Sequence, residues 1–260
     1  MAGFKDVFQR IEVKYLLDER QYKALMKRLE GMAAVDSYGK TSILNIYFDT
    51  PDYRLIERSL EKPVYKEKLR LRTYGVAKDD TNAFIEIKKK YKGVVYKRRI
   101  SMPYKNAMDY LTGGQGPEEK SQISNEIDYF LQFYKGIRPA MAISYDRIAM
   151  AGIEDPDLRI TFDTNIRWRT ENLSLKEGNK GKDILLPGQY LMELKIAGAM
   201  SMELARILDE LNIRKTSFSK YGRGYMDYMY GLSGEMMQKG LTPDEIRAED
   251  DKVISFRRAV

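Results

Sequence analysis

One alternation constrains this chain more than anything else in it. In Tyr65-Lys66-Glu67-Lys68-Leu69-Arg70-Leu71-Arg72-Thr73-Tyr74 a cation stands at every second position. A strand repeats its side-chain direction every two residues, so Lys66, Lys68, Arg70 and Arg72 share one face. The design recurs far along the chain. Phe84-Ile85-Glu86-Ile87-Lys88-Lys89-Lys90 puts Glu86, Lys88 and Lys90 together, and Phe8-Gln9-Arg10-Ile11-Glu12-Val13-Lys14-Tyr15 does the same for Arg10, Glu12 and Lys14. Leu191-Met192-Glu193-Leu194-Lys195-Ile196 pairs Glu193 with Lys195, and Arg159-Ile160-Thr161-Phe162-Asp163 aligns Arg159, Thr161 and Asp163. In Val95-Tyr96-Lys97-Arg98-Arg99-Ile100-Ser101 the period favours Lys97, Arg99 and Ser101 on the charged side.

Six strands thus present long cations and single carboxylates on one face and aliphatics on the other. Strands that face water usually mix Thr, Ser, Gln and both charges. A barrel with inverted polarity accounts for the pattern, with charges lining the inside and aliphatics packed outside under helices. Unpaired cations are costly to bury, so such a lumen is expected to be wide, wet and filled by a polyanion. The charge is local: residues 62–99 hold 13 Lys/Arg and 4 Asp/Glu, whereas the whole chain is only +7.

Helices supply the cover, giving an α+β class. Asp18 caps an expected helix over Glu19 to Glu30 with Tyr22, Leu25, Met26 and Leu29 on one face and Gly31 as its stop. Ser124 is expected to start a second, carrying Ile127, Phe130, Leu131 and Tyr134, and Ser201 a third, carrying Leu204, Ile207, Leu208 and Leu211. Residues 1–234 read as one domain and 235–260 as a polar helical tail, with a helix start at Thr242-Pro243-Asp244-Glu245.

The 260 residues contain neither His nor Cys. That excludes a Ser-His-Asp triad, a phosphohistidine intermediate, a thiolate nucleophile and a disulfide framework. The Gly178-Asn179-Lys180-Gly181-Lys182 run lacks the spacing of a phosphate loop, and no G-x-G-x-x-G fingerprint or internal repeat occurs. No apolar run reaches the roughly 18 residues of a membrane span, and MAGFKDVFQRIEVKY lacks the apolar centre of a signal peptide, so the cytoplasm is the expected compartment.

The ordered set Arg10-x-Glu12-x-Lys14-Tyr15, Asn45-Ile46-Tyr47-Phe48-Asp49-Thr50, Lys68-Leu69-Arg70-Leu71-Arg72, Glu86-Ile87-Lys88, Lys97-Arg98-Arg99, Ser144-Tyr145-Asp146-Arg147, Arg159-Ile160-Thr161-Phe162-Asp163, Met192-Glu193-Leu194-Lys195 and Ser219-Lys220-Tyr221 resembles the VTC polyphosphate polymerase domain of the triphosphate tunnel metalloenzymes, from Phe8 to Met229. The resemblance implies an eight-stranded antiparallel tunnel that uses Mg²⁺ or Mn²⁺ and moves the ATP γ-phosphate onto a growing polyphosphate chain. By motif position it implies Lys14, Arg70, Arg72, Lys88, Lys97, Arg99, Arg147, Arg159, Lys195 and Lys220 as phosphate-gripping cations, with Lys14, Arg70, Arg72 and Lys220 central to catalysis. Glu193 would be the principal metal ligand, with Glu12, Glu86 and Asp163 within reach.

Hydrolytic and cyclase branches open with Glu-x-Glu-x-Lys, and here Arg10 replaces the first glutamate. Replacing a carboxylate by a cation favours holding a long anion over hydrolysing a short one. The nucleophile would be an anionic phosphate oxygen, which needs no general base and suits a chain without histidine. Two other readings remain: a tunnel triphosphatase using water as acceptor, and a non-enzymatic polyanion or nucleic-acid binder. Carboxylates recurring within the basic faces speak against the binder and against specific nucleic-acid recognition. Export of product across a membrane would require a separate membrane partner.

Overall fold

Period-two segments become strands and apolar stripes become helices in this computed structural model, which describes residues 10–92 and 94–231. In chain order the elements are β1 (Arg10–Leu17), α1 (Glu19–Arg28), β2 (Ala33–Asp49), α2 (Arg54–Leu60), β3 (Tyr65–Tyr74), β4 (Asn82–Tyr91), β5 (Val94–Pro103), α3 (Tyr104–Leu111), α4 (Gln122–Phe133), β6 (Arg138–Gly152), β7 (Arg159–Arg169), β8 (Lys182–Asp183), β9 (Tyr190–Ala197), α5 (Met202–Glu210), β10 (Lys215–Thr216) and α6 (Lys220–Tyr230). The expected tail over 235–260, with its helix start at Thr242, lies outside the described residues.

All ten strands join one antiparallel sheet in the order β10-β1-β9-β7-β6-β2-β3-β4-β5, with β8 added to β7. This corrects the eight-stranded closed barrel: β5 and β10 are edges, and no ladder joins them among the described residues. The sheet nevertheless curls strongly. Lys88 on β4 comes within 4.0 Å of Glu12 on β1, although five strands separate the two along the order. Accumulated strand twist brings the two ends of the charged face toward each other without backbone closure.

The convex side is apolar, as expected. Leu69, Leu71, Ile85 and Ile87 pack with Leu44, Ile46 and Phe48 under α3 and α4. Val13, Tyr15, Phe162, Met192 and Leu194 pack under α1 and α5. The concave side is not uniformly charged. At one end Ile43, Tyr47, Met141, Ile143, Tyr145, Ile166, Trp168 and Leu191 form an apolar floor on which Tyr221, Tyr225 and Met226 of α6 sit, with Ile56 of α2. Gly224 permits the approach, since a Cβ there would come within 2.7 Å of Met141 Sδ. α6 therefore lies on the concave face, with its N-terminus toward the charged end.

Local chemistry sets the helix starts. Asp18 caps α1 in a capping box with Gln21, and the helix ends at Arg28, two residues short of the expected Glu30. The cap of α4 is Ser121 rather than Ser124. Ser121 Oγ accepts from Ser124 N–H at 3.1 Å while Ser124 Oγ accepts from Ser121 N–H at 2.7 Å, so Ser124 closes the box from the third position. Ser201 caps α5 as expected.

Asp49, fully buried at the end of β2, accepts hydrogen bonds from the N–H groups of Thr50, Leu55 and Ile56 and from the Tyr221 hydroxyl at 2.8 Å. It thereby fixes the start of α2 and ties α6 to the sheet. Asp49→Ala leaves the Thr50 and Leu55 N–H groups and the Tyr221 hydroxyl without this acceptor, the Ile56 N–H keeping the Tyr53 carbonyl, and we expect a loss of about 2–3 kcal/mol in denaturant unfolding, with Asp49→Asn recovering part of it.

Candidate functional site

The charged end of the concave face gathers side chains from eight strands, β1 to β7 and β9, placed by strand parity, and from the first residue of α6. Asp163 is fully buried and accepts a bidentate pair from Arg147, Nε to Oδ1 at 2.6 Å and Nη2 to Oδ2 at 2.7 Å, while Lys220 Nζ lies 2.6 Å from the same Oδ2. Two cations on one carboxylate hold it below its usual range against the upward push of burial. Lys220 stays protonated for the same reason, because Asp163 and Glu193 outweigh its desolvation. Arg147 and Lys220 both reach over the Tyr145 ring, at 5.2 and 4.6 Å from its centre.

A second cluster centres on Glu86, only 1% exposed. Arg70 Nε donates to it at 2.6 Å, Lys97 Nζ lies 2.7 Å away and Arg72 3.9 Å away. Arg70 also donates to the Tyr47 hydroxyl, and Arg72 to Asn45 Oδ1 and the Tyr145 hydroxyl. Burial alone would raise Glu86; Arg70, Arg72 and Lys97 bring it down to about 2 from 4.5. A carboxylate whose folded pKa is depressed contributes stability above its unfolded pKa and loses it as pH falls through the folded one. Stability should therefore drop on acidification from about pH 4.5 to about 2, by roughly 3 kcal/mol from this group. Unfolding curves across that range check it, and Glu86→Gln should flatten the limb.

Glu193 and Glu12 are held differently. Glu193 stands 3.2 Å from Lys220 Nζ, 3.4 Å from Lys14 and 3.6 Å from Arg147. Glu12 stands 3.6 Å from Lys14 and 4.0 Å from Lys88. Lys220 donates a hydrogen bond to Glu193 at that 3.2 Å and the other contacts are longer, and Lys220, Lys14, Arg147 and Lys195 together overcome burial and keep Glu193 ionised well below the usual range. Opposite Glu193 on the β7–β9 ladder, the Thr161 hydroxyl is buried with no hydrogen-bond partner among the described residues.

The expected set is thus split. Lys14, Arg70, Arg72, Lys88, Lys97, Arg147, Lys195 and Lys220 meet at the charged end, where Lys14 also donates to the Phe218 carbonyl at 3.0 Å. Lys97 and Arg99 share the inner side of β5, Arg99 against the Phe84 ring, whereas Arg98 points outward to Glu126 on α4. Arg159 is exposed at the start of β7, opposite Lys195. The four expected metal carboxylates do not form one cluster: among the described residues no three acidic groups converge. Glu86 and Asp163 are instead engaged by cations at 2.6–2.7 Å. The expectation of unpaired lumen cations is corrected to the same extent, although cations still outnumber carboxylates on this face.

Sequence reasoning left Lys68, Asn45, Tyr47 and Tyr145 out of the site. Lys68 carries the same period-two signal as Arg70 and Arg72. The other three lie in strands that are apolar on both faces near α6, where alternation disappears.

A curled antiparallel sheet with helices outside and converging cations and carboxylates inside defines a cationic-groove α+β protein. The VTC domain family model matches residues 9–228, and the chain belongs to that family. No curated protein matches it. Among solved structures, a candidate adenylate cyclase from Bacillus halodurans is similar at 16% identity and TM-score 0.50, over 81% of this chain and 93% of that one. A candidate adenylyl cyclase from Hippeastrum, described as having a dominant triphosphatase activity, is similar at 15% identity and TM-score 0.49, over 84% and 95%. At such identities the likeness concerns fold.

Proposed function

We propose that the concave face binds a chain of phosphates and transfers the γ-phosphate of ATP to its end. The observation that carries this reading is the surplus of inward cations, Lys14, Lys68, Arg70, Arg72, Lys88, Lys97, Arg147, Lys195 and Lys220, around only four carboxylates. Phosphoryl transfer asks a protein mainly for in-line positioning and charge neutralisation. Arg70, Arg72 and Arg147 offer planar forks already fixed by Glu86, Asn45 and Asp163, so they orient phosphate oxygens at little further ordering cost. Lys14, Lys88 and Lys220 supply point charge. The terminal oxygen of the chain attacks the γ-phosphorus, the bond to the β-phosphate oxygen breaks, and ADP leaves; no proton need be removed.

Glu193 and Glu12 are the carboxylates suited to a divalent cation, because their nearest cations stand at 3.2 and 3.6 Å and the unpartnered Thr161 hydroxyl lies beside Glu193. Mg²⁺ or Mn²⁺ bound there, completed by phosphate oxygens, would supply Lewis-acid charge to the transferring group and the leaving ADP. Glu86 and Asp163 act instead as positioning groups for Arg70 and Arg147. The cytoplasm, where ATP is abundant, is the setting this chemistry requires. No described helix is long and apolar enough to cross a membrane.

The second reading is hydrolysis of inorganic or nucleoside triphosphate, favoured by the loosely held Glu12, which could orient a water. Incubation with ATP and Mn²⁺ or Mg²⁺ separates them. Chains that vanish with EDTA and return with added metal support transfer, free phosphate alone supports hydrolysis, and tight salt-sensitive binding of single-stranded nucleic acid without turnover supports a binder. Glu193→Gln should raise the metal concentration needed for half-maximal synthesis at least tenfold.

A further inference from the structure

Lys68, like Lys195 and Arg99, makes no ion pair with a described carboxylate, but those two stand opposite Glu12 and Glu86 in their ladders, whereas Lys68 stands opposite another cation, Lys88. The Lys68 ammonium donates to Ser219 Oγ at 3.2 Å and stands 5.9 Å from the centre of the Tyr221 ring. Cations face it along its own strand and from two others: Lys66 and Arg70 on β3, Lys88 directly opposite on β4, and Lys14 on β1, while the adjoining strand β2 ends in Asp49, whose carboxylate is committed to backbone N–H groups and the Tyr221 hydroxyl. From α6 it meets only Ser219, which also accepts from the Gly222 N–H, and Tyr221, whose hydroxyl is given to Asp49. Glu12 is shared between Lys14 and Lys88.

Such a position is unfavourable for a charge until an anion arrives. Burial, reinforced by Lys66, Lys88, Lys14 and Arg70, brings the amine down to about 7. A phosphate oxygen among the same groups reverses the balance, because it favours the charged form as strongly as the cations oppose it.

We propose that Lys68 is a further phosphate-gripping residue that takes its proton together with the ligand, so that a polyphosphate chain enters this groove with net proton uptake by the protein. The inference rests on the phosphate-binding reading above and deepens it. The proton comes from solvent and ends on Lys68 Nζ, where it forms a charge-assisted hydrogen bond to the incoming oxygen. Affinity for a phosphate chain should then weaken as pH rises above neutrality, beyond any effect of the ligand's own ionisation.

Titration calorimetry of the chain with sodium tripolyphosphate near pH 8, in Hepes and in Tris, counts the protons exchanged. One unit above its pKa about nine-tenths of Lys68 is unprotonated, so the wild type should take up nearly one proton more than Lys68→Arg, whose guanidinium is always charged. Proton exchange by the ligand cancels in that difference. Lys68→Met should lose the same proton and bind at least tenfold more weakly, which keeps the test available if the arginine variant misfolds. Equal proton counts in wild type and a folded variant, with binding in both, would overturn the role of Lys68 alone. Absence of tripolyphosphate binding by the wild type would overturn the phosphate-binding reading itself.

Discussion

Lys220→Ala should slow polyphosphate synthesis by about 10²–10³ while the chain stays folded, the range for losing one preorganised transition-state charge. Two features make it a clean probe. Asp163 keeps its bidentate partner Arg147, and Glu193 keeps Lys14 at 3.4 Å and Arg147 at 3.6 Å, so no buried carboxylate is stranded. The helix start also survives, because Ser219 caps α6 through the Gly222 N–H without help from the lysine. Steady-state synthesis beside a thermal melt measures both halves. A folded variant with near-normal synthesis would remove Lys220 from the transfer step.

Arg70→Ala should have a double effect. It should abolish synthesis to a similar or greater degree, and it should also destabilise the fold by about 3 kcal/mol, toward the low end for breaking a buried ion pair. Glu86 would keep Lys97 at 2.7 Å and Arg72 at 3.9 Å but lose the 2.6 Å guanidinium, and Tyr47 would lose the donor to its hydroxyl. Arg70→Met combined with Glu86→Gln separates the two roles, because it removes both charges. Stability should return part of the way toward the wild-type value, because Lys97 and Arg72 also lose Glu86, whereas synthesis should stay lost. Denaturant unfolding and product analysis on the single and double variants measure this; recovery of synthesis in the double variant would mean that Arg70 is structural only.

How far the site was legible in sequence depends on which interaction organises each part. Strand parity is local, so the inner placement of Glu12 and Lys14, Arg70 and Arg72, Glu86 and Lys88, or Glu193 and Lys195 could be read from alternation alone. It also separates Lys97 and Arg99 from Arg98 within a run of three cations. Pairing across strands is not local. Glu86 meets Arg70 through the β3–β4 register, and Asp163 meets Lys220 through a helix 57 residues further on, so the engagement of these carboxylates by cations was not readable. The position of α6 was hidden for another reason. Its Tyr221, Tyr225 and Met226 make an ordinary apolar stripe, and only the apolar floor of β2, β6 and β7 decides that it docks inside the curl rather than outside. Open edges at β5 and β10 were equally invisible, since closure depends on how far twist accumulates around the sheet.

The central claim is transfer rather than hydrolysis. The most direct measurement is the number of phosphate units found in acid-insoluble chains for each ADP released when the purified chain turns over ATP with Mn²⁺ or Mg²⁺. The account predicts a ratio near one with little free phosphate. A ratio near zero, with free phosphate matching ADP, would contradict it.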